Sequence, residues 1–505
     1  MRLGGSGARI AALLLLGTLL AQAAWILAVP PFRGIDEFDH AFRASGVASG
    51  QWRLHDEAAG GRGLLVDVPV DLAKAAQGQC EKLPYIVSDT CAGEGPGATS
   101  GTVRVTTSAA GYEPIYYWVV GTAGEPFSGA HSLYAMRATS ALLCALVLAL
   151  AAWCLSTWVR GSWAFVGLLV GLTPTLVYST TVVAPNGLEM AAGVCLWAAL
   201  LGLGGKEPVD AALLRRERQL LAAATLAVVL LSGLRTLGPL WVVMILACVI
   251  ALRGPRAILA VVHRHRVQVA VAALLAVATT VAVLAWNRGN AAFTAGALNG
   301  EINDSWGQVA QWPSWFRGSI GAFPFRNQPA PVVVHLLVQV VVLTLLIAAV
   351  RRGARHGRLA VVLAAALCLV VPSVLVAITL EDRGGMWQGR YSLPFAAGVT
   401  MLAGLVLDRV RWRTGTRDVR PQALAVAMVA LAHVISVVHV QLAELDRPVS
   451  SGDSAWFHPP TFVTGLLMTL AWVVLGAVVL SLRPPERLPD AVPRAHQVSP
   501  ETSAP

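Results

Sequence analysis

Stretches of about 20 mostly apolar residues recur along this chain, and they restrict its fold more than any other feature. A helix of that length is long enough to cross a hydrocarbon core of about 30 Å. Only 13% of the residues are charged, whereas about one quarter are charged in an ordinary soluble domain. The sequence therefore predicts an all-α polytopic membrane protein.

Twelve of these apolar runs are expected to form transmembrane helices. The fifth and sixth runs are short and are separated only by a tight turn at 235–239. The predicted spans cover residues 10–29, 132–155, 163–183, 187–204, 219–235, 238–252, 267–286, 330–350, 359–379, 392–407, 422–443 and 461–482.

The net charge of +10 is a possible sign of nucleic-acid binding, but its distribution favours another explanation. The gaps after the even-numbered spans are rich in arginine, as in Arg351, Arg352, Arg355 and Arg358, and the other short gaps hold far fewer basic residues. Cytoplasmic loops carry such an excess of Lys and Arg. The pattern predicts a multi-pass protein of the plasma (inner) membrane with both termini in the cytoplasm, and with no nucleic-acid partner.

This topology divides the chain into segments on alternate sides of the membrane. Ala21-Gln22-Ala23 has the shape of a signal-peptidase site, so a cleaved signal peptide is the alternative to an uncleaved first helix. The loop after the first helix is expected to form a small extracytoplasmic α+β cap, with an amphipathic helix near 37–50 lying on the membrane and β-like alternation at 102–106. The predicted divisions are the first transmembrane helix at 1–29, an extracytoplasmic cap at 30–131, helices 2–7 at 132–286, an extracytoplasmic loop at 287–329, helices 8–12 at 330–482 and a disordered cytoplasmic tail at 483–505.

Two of the seven cysteines, Cys80 and Cys91, lie in the long polar segment, and the other five fall in apolar runs. If the segment faces an oxidising compartment, these two can form a disulfide that closes a short loop. The alternative is a pair of unpaired thiols.

Most of the unusual polar residues lie at the ends of spans that face the predicted outer side. Asp36, Glu37 and His40 follow the first helix, Arg235 precedes the sixth, and Arg390 precedes the tenth. A carboxylate can take the proton from an attacking hydroxyl, and guanidinium groups bind phosphate oxygens in a bidentate fork. These residue types together suit transfer from a donor with a phosphate leaving group.

The acidic pair cannot act as one unit, because adjacent residues on a helix point about 100° apart. One of Asp36 and Glu37 would be the base. The other would orient a substrate, pair with an arginine or help to hold a divalent ion. His40 comes one turn after Asp36 and can share its face.

Simpler roles are open for several of the polar residues at these outer ends. Asp36 or Glu37 would also suit the start of a helix near residue 36, where acidic side chains are favourable. Arg390 and Tyr391 could anchor the chain at the membrane interface, and Glu189 could be a solvated loop residue. Asp39 and Arg43 are interpreted as ordinary interfacial groups.

Three segments resemble one large bacterial family of polytopic membrane proteins of unknown function. They are Pro31 to Ala44, which carries D-E-x-x-H at Asp36–His40, then Gly111-Tyr112-Glu113-Pro114-Ile115-Tyr116-Tyr117, and Gln388-Gly389-Arg390-Tyr391-Ser392-Leu393-Pro394. The chain departs from the family pattern in two places. Glu113 stands where the family has the first proline of a pair, and the acid of the turn between the third and fourth spans is displaced to Glu189.

That family looks related to the C-type glycosyltransferases, which use polyprenyl-phosphate-linked sugars and carry an acidic motif in the first outer loop. The resemblance implies a GT-C-like fold, a catalytic carboxylate at Asp36 with Glu37 as its neighbour, and a donor-phosphate contact at Arg390. Two or three carboxylates with a lipid phosphate could hold Mg²⁺ or Mn²⁺, although the sequence does not demand a metal.

The leading hypothesis is a membrane glycosyltransferase that moves a sugar from a polyprenyl-phosphate donor to a cell-envelope glycan acceptor. The alternatives are a transporter or flippase for a lipid-linked glycan, which would need charges lining a central cavity, and a non-catalytic envelope scaffold. Besides the donor and acceptor, membrane lipids are the expected partners. The expected catalytic residues are Asp36, Glu37 and His40, and the expected substrate and phosphate contacts are Arg390, Tyr391, Gln388 and Arg235.

Overall fold

Long apolar helices form the body of the molecule. The computed structural model describes residues 4–57, 63–80, 101–159, 161–205, 207–289, 310–323, 328–383, 387–414, 419–447 and 455–482. In chain order the helices and strands are α1 (Gly4–Ala28), α2 (Glu37–Ala48), β1 (Leu64–Pro69), α3 (Val70–Cys80), β2 (Thr102–Thr107), α4 (Pro114–Gly124), α5 (Gly129–Trp158), α6 (Trp163–Gly171), α7 (Pro174–Ser179), α8 (Pro185–Leu201), α9 (Ala211–Leu234), α10 (Gly238–Arg253), α11 (Pro255–Arg264), α12 (Arg266–Gly289), α13 (Trp312–Gly321), β3 (Ala322–Phe323), β4 (Gln328–Pro329), α14 (Val332–Arg352), α15 (Arg355–Arg383), α16 (Leu393–Thr414), α17 (Arg420–Leu445) and α18 (Thr461–Ser481).

Within those ranges, nine helices are long and apolar enough to cross a membrane: α1, α5, α9, α12 and α14 to α18. A tenth span results if α10 and α11, which meet at a bend of 110°, are counted together. Each of the twelve predicted apolar runs contains helix, and the all-α polytopic class is confirmed. The remaining two runs form shorter helices, α8 and the pair α6 and α7.

The third predicted span is not a continuous helix, which corrects the sequence prediction for 163–183. α6 ends at Gly171 and α7 starts at Pro174. Pro174 has no N–H to continue the ladder of α6, and the Thr173 hydroxyl accepts a hydrogen bond from the backbone N–H of Leu176 at 3.3 Å. The break is therefore capped by local residues.

Two further boundaries differ from the sequence prediction because helices continue into polar sequence. α9 begins at Ala211, so Arg215, Arg216 and Arg218 lie on a helix and not in a loop. Likewise α15 continues through 381–383, beyond the predicted end of the ninth span at residue 379.

The bundle is tightly packed around α16, which carries the Arg390 segment at its start. α16 packs against α6 and α8, and the Trp197 indole on α8 donates to the Phe395 carbonyl at 2.9 Å. Gly193 permits this approach, since a β-carbon there would overlap the Pro394 carbonyl. Close packing of small residues is typical of membrane helix interfaces.

The predicted α+β cap is present as α2 to α4 with one pair of strands. β1 and β2 are antiparallel, with Leu64 opposite Thr107 and Val66 opposite Val105. β2 coincides with the alternation predicted at 102–106. α3 follows β1 directly, and α4 leads into α5.

The prediction that the helix near 37–50 lies on the membrane is wrong. α2 is buried over nearly its whole circumference, between α4 and the strand pair. Its polar groups are paired inside the protein: Asp39 Oδ1 accepts from the Ser108 N–H at 2.8 Å, and Arg43 donates to the Gln51 and Trp52 carbonyls at 3.0 and 2.7 Å. Asp39 and Arg43 are thus buried and are not interfacial groups.

Two sequence predictions fall outside the described residues. Cys91 lies in the undescribed segment 81–100, so its pairing with Cys80 at the end of α3 remains a prediction. The tail at 483–505 is also outside them, and the predicted domain divisions remain predictions.

Candidate functional site

The turn between α1 and α2 places the acidic motif in a restricted backbone conformation. Phe32 and Asp36 have φ angles of 61° and 57°, the two positive values found at non-glycine positions among the described residues. Such conformations cost free energy and cluster at functional sites. Phe32 is fully buried, which leaves Asp36 as the strained residue with access to solvent.

Buried ion pairs hold this turn against two distant helices. Glu37, at the start of α2, accepts from Arg137 of α5 through both carboxylate oxygens at 2.8 and 2.5 Å. It also accepts from the Gly34 and Val183 N–H groups at 3.0 and 3.3 Å. On the other side, Arg33 donates to both oxygens of Glu444 on α17 at 2.9 and 3.1 Å.

Arg137 also ties the end of α1 to this arrangement. Its terminal nitrogens donate to the Val29 and Pro30 carbonyls, each at 2.8 Å. Arg137 and Glu37 are almost completely buried. The carboxylate of Glu37 is thus saturated with protein donors, whereas its neighbour Asp36 is not enclosed in the same way.

Asp36 lies against the guanidinium of Arg390. Arg390 Nη2 is 3.3 Å from Asp36 Oδ2, and the Asp36 side chain is 23% exposed. Asp36 is the N-cap residue of α2, but its side chain makes no capping hydrogen bond. Helix capping therefore does not explain this side chain.

Arg390 retains unused hydrogen-bonding capacity. Its Nε is buried and, among the described residues, has no hydrogen-bond partner. A buried donor without a partner costs free energy, so an added acceptor would be stabilised at this position.

A glycine in the Gln388–Pro394 motif allows the Arg390 segment to pack on α13. A β-carbon at Gly389 would overlap the Trp315 carbonyl and lie too close to the backbone of Ser319. Residues 389–392 form one short 3₁₀ turn, in which the Gln388 carbonyl accepts from the Tyr391 N–H at 2.9 Å. The motif thus fixes the position of Arg390 through its backbone.

Arg235 approaches the same segment from the end of α9. Its guanidinium carbon lies 5.0 Å from the centre of the Tyr391 ring and 5.7 Å from that of Tyr112. The Arg390 guanidinium lies 5.5 Å from the same Tyr391 ring. Two cations therefore share one aromatic ring, close to the carboxylate of Asp36.

Residues of α8 hold Arg235 in place. Asn186 accepts a hydrogen bond from Arg235, and Glu189 Oε2 lies 3.9 Å from Arg235 Nε. Glu189 also accepts from the Trp241 indole at 3.3 Å. Glu189 is buried within a helix, so its interpretation as a solvated loop residue is wrong.

His40 lies next to this group, as a buried and neutral side chain. Its Nδ1 is 2.6 Å from the Tyr117 hydroxyl, and its ring packs edge-on against Tyr112. Burial lowers the pKa of His40 from 6.5 to about 4, while the negative charge of Asp36 opposes this shift and the charges of Arg235 and Arg390 add to it. His40 is thus uncharged at neutral pH.

This lowered pKa predicts a pH-dependent stability. Between pH 6.5 and about 4 the unfolded chain binds a proton at residue 40 that the native protein does not. Stability is therefore complete above pH 6.5 and falls as the pH decreases, by about 2 kcal/mol at pH 5. The measurement is the melting temperature at pH 7.5 and 5.0 for wild type and His40→Gln. A wild-type pH effect no larger than that of His40→Gln would contradict the prediction.

Several members of this group were predicted from the sequence, and others were not. Asp36, His40, Arg390, Tyr391 and Arg235 are brought together. Gln388 contributes its backbone carbonyl, and Glu37 faces Arg137. The residues missed were Arg137, Tyr112 and Tyr117. Arg137 could have been found, because a lone arginine within an apolar run is costly unless it has a partner.

The described residues offer little to a divalent ion by themselves. No group of three or more His, Cys, Asp or Glu side chains in these ranges is arranged to hold a metal. Glu37, the nearest second carboxylate in sequence, is already bound by Arg137. Glu37 is therefore not free to serve as a ligand in the Mg²⁺ or Mn²⁺ site considered from the sequence.

Comparison with known proteins identifies a family and several similar solved structures. Residues 19–399 match the model of a family described as "Predicted membrane protein (DUF2142)". ArnT from Cupriavidus metallidurans bound to undecaprenyl phosphate is 16% identical, with a TM-score of 0.42 over 92% of this chain and 77% of that chain. Its apo structure is 15% identical, with the same TM-score over 87% and 75%. Similarity at this level assigns no ligand. Curated proteins show no match.

Proposed function

We propose that this chain, which belongs to the DUF2142 family of predicted membrane proteins, is a glycosyltransferase of the cell membrane. It moves a sugar from a polyprenyl-phosphate donor to a cell-envelope glycan acceptor at the outer face. The observation that carries the proposal is the contact of the partly exposed, strained Asp36 with Arg390, beside a second cation at Arg235. The resemblance of the acidic motif to the C-type glycosyltransferases points in the same direction.

The arrangement supports a single displacement at the sugar. The acceptor hydroxyl gives its proton to the carboxylate of Asp36, and its oxygen forms a bond to the anomeric carbon. The bond between that carbon and the phosphate oxygen breaks, and the electron pair leaves with the polyprenyl phosphate. Positioned general bases contribute about 10²–10⁴ in rate.

The two arginines stabilise the negative charge that develops on the departing phosphate. Arg390 Nε has no partner among the described residues, and a phosphate oxygen would supply one. Arg235 is held by Asn186 and Glu189, so its guanidinium is positioned before the donor arrives. Preorganised donors of this kind stabilise charge without reorganisation during the reaction.

Glu37 and His40 have positioning roles in this proposal. Glu37 fixes the turn through Arg137 and does not take part in proton transfer. His40 is neutral and hydrogen-bonded to Tyr117, and it lies close enough to Asp36 to interact with its charge. The pairing of Glu37 with an arginine was one of the alternatives that the sequence left open.

The test is turnover by the purified full chain in lipid nanodiscs. A panel of polyprenyl-phosphate-linked sugars is supplied with crude envelope glycan as acceptor, and the release of polyprenyl phosphate is measured. The proposal predicts release for at least one sugar, with the sugar recovered on the glycan. Absence of release from every sugar by correctly folded protein would contradict it, and movement of intact donor across the bilayer of sealed proteoliposomes would support the flippase alternative.

Substitution of Arg390 tests the phosphate contact. Arg390→Lys keeps the charge but loses the planar fork that matches phosphate, so we expect the KM for the donor to rise about tenfold or more. The matched control is Arg351→Lys, at an exposed arginine near the end of α14. Equal KM values for the two variants would show that Arg390 does not contact the donor.

A further inference from the structure

A cavity with a mainly apolar lining lies between α13 and the start of α14. It has a volume of about 450 Å³ and is bounded by α13, the β3–β4 pair and the start of α14. Trp315 of α13 faces Trp387, with ring centres 6.5 Å apart, whereas Arg317 lines the cavity. The two sites thus adjoin on one helix, since Gly318 lines the cavity and also lies close to Gly389. The lining of the cavity includes Ser314, Arg317, Val332, His335, Leu336 and Gln339.

One wall of the cavity contains a buried ring nitrogen that has no hydrogen-bond partner among the described residues. His335 is 6% exposed, and its Nδ1 has no hydrogen-bond partner in the described part of the chain. Buried polar atoms are normally hydrogen-bonded. Because His335 lines the cavity, an occupant with a polar group can satisfy this nitrogen.

The electrostatics of the cavity favour an anion. Arg317 is exposed at its rim, close enough for its charge to act on His335. The N-terminus of α14 also borders the cavity at Ala330 and Val332, and a helix attracts negative charge at that end. Neither α13 nor α14 contains an Asp or Glu residue.

The surroundings of the cavity favour an anion that carries a lipid tail. Val332 and Leu336 are 73% and 55% exposed and lie one turn apart on α14, beside His335 and Gln339. α14 is long and apolar enough to span a membrane. An acyl or prenyl chain can therefore lie along this face while its head group enters the cavity.

We propose that the cavity between α13 and α14 binds the phosphate head group of a membrane lipid, through Arg317, His335 and the N-terminus of α14, with the tail along Val332 and Leu336. This site is distinct from the one at Asp36 and Arg390. It does not depend on the proposed sugar transfer, since it is tested by binding alone.

The experiment is native mass spectrometry of the detergent-solubilised full chain. The probes are dioctanoyl phosphatidic acid, dioctanoyl phosphatidylcholine and inorganic phosphate, each titrated separately. We expect phosphatidic acid to bind more tightly than either other probe. Arg317→Gln should weaken that binding about tenfold or more, and Arg317→Lys should recover part of it.

Two further variants separate the phosphate from the tail. Arg351→Gln, an exposed arginine near the other end of α14, should leave the binding unchanged. Leu336→Gln should weaken phosphatidic acid but not inorganic phosphate. The proposal is overturned if Arg317→Gln and Arg351→Gln bind phosphatidic acid equally well. It is also overturned if inorganic phosphate binds as tightly as the lipid, because the ligand would then be soluble.

Discussion

Asp36→Asn should reduce sugar transfer by about 10²–10⁴-fold, the usual contribution of a positioned general base. The amide has the shape of the carboxylate but cannot accept the proton of the acceptor hydroxyl. The fold should be unaffected, because the side chain is 23% exposed and makes no capping hydrogen bond. The measurement is the rate of polyprenyl phosphate release by protein that elutes as a single species.

Asp39→Asn is the matched control for this experiment. Asp39 lies on the same helix and is buried, with Oδ1 accepting from the Ser108 N–H. Asparagine keeps that acceptor oxygen, so transfer should stay within about twofold of wild type, since the substitution removes no group that touches substrate. If Asp36→Asn is folded and transfers sugar as fast as Asp39→Asn, the carboxylate of Asp36 is not the base.

Glu37→Gln should instead destabilise the protein, by about 3–5 kcal/mol. The substitution leaves the guanidinium of Arg137 buried without its countercharge. Breaking one partner of a buried pair is costly for this reason, whereas replacing both partners by apolar groups is often nearly neutral. The measurement is the melting temperature and the denaturant midpoint in a fixed detergent.

The double variant Glu37→Leu with Arg137→Leu separates charge from packing. It should be more stable than either single variant, because no buried charge remains unpaired, although the bonds to the Val29 and Pro30 carbonyls are lost. The single variant Glu37→Gln also tests the positioning role of Glu37. If Glu37→Gln retains wild-type stability but is inactive, Glu37 belongs to the chemistry as a second acid, and its positioning role is wrong.

Those parts of the fold that depend on local sequence were predictable. Apolar length predicts helix at each of the twelve runs, although only nine of the described helices are long and apolar enough to cross a membrane by themselves, and the alternation at 102–106 predicts β2. The joint placement of Asp36 and Arg390 followed from topology, since both precede or follow spans on the same predicted face. Each inference needed only the residues themselves and the order of the spans.

The division of roles between Asp36 and Glu37 could not be predicted. Both are carboxylates in the same turn, and their environments differ because of Arg137, 100 residues later, and the Val183 N–H. The burial of α2 was also hidden, since its polar residues look like a solvated face. Arg43 is accommodated there because the Gln51 and Trp52 carbonyls accept hydrogen bonds from its guanidinium group.

The buried ion pairs of the α1–α2 turn have a consequence for the order of assembly. Arg33 pairs with a residue 411 positions later, and Asp36 with one 354 positions later. A chain under synthesis exposes this turn long before Arg390 and Glu444 exist. The carboxylate of Asp36 therefore acquires its final surroundings only when the last helices are inserted. An unfinished chain cannot carry a complete site.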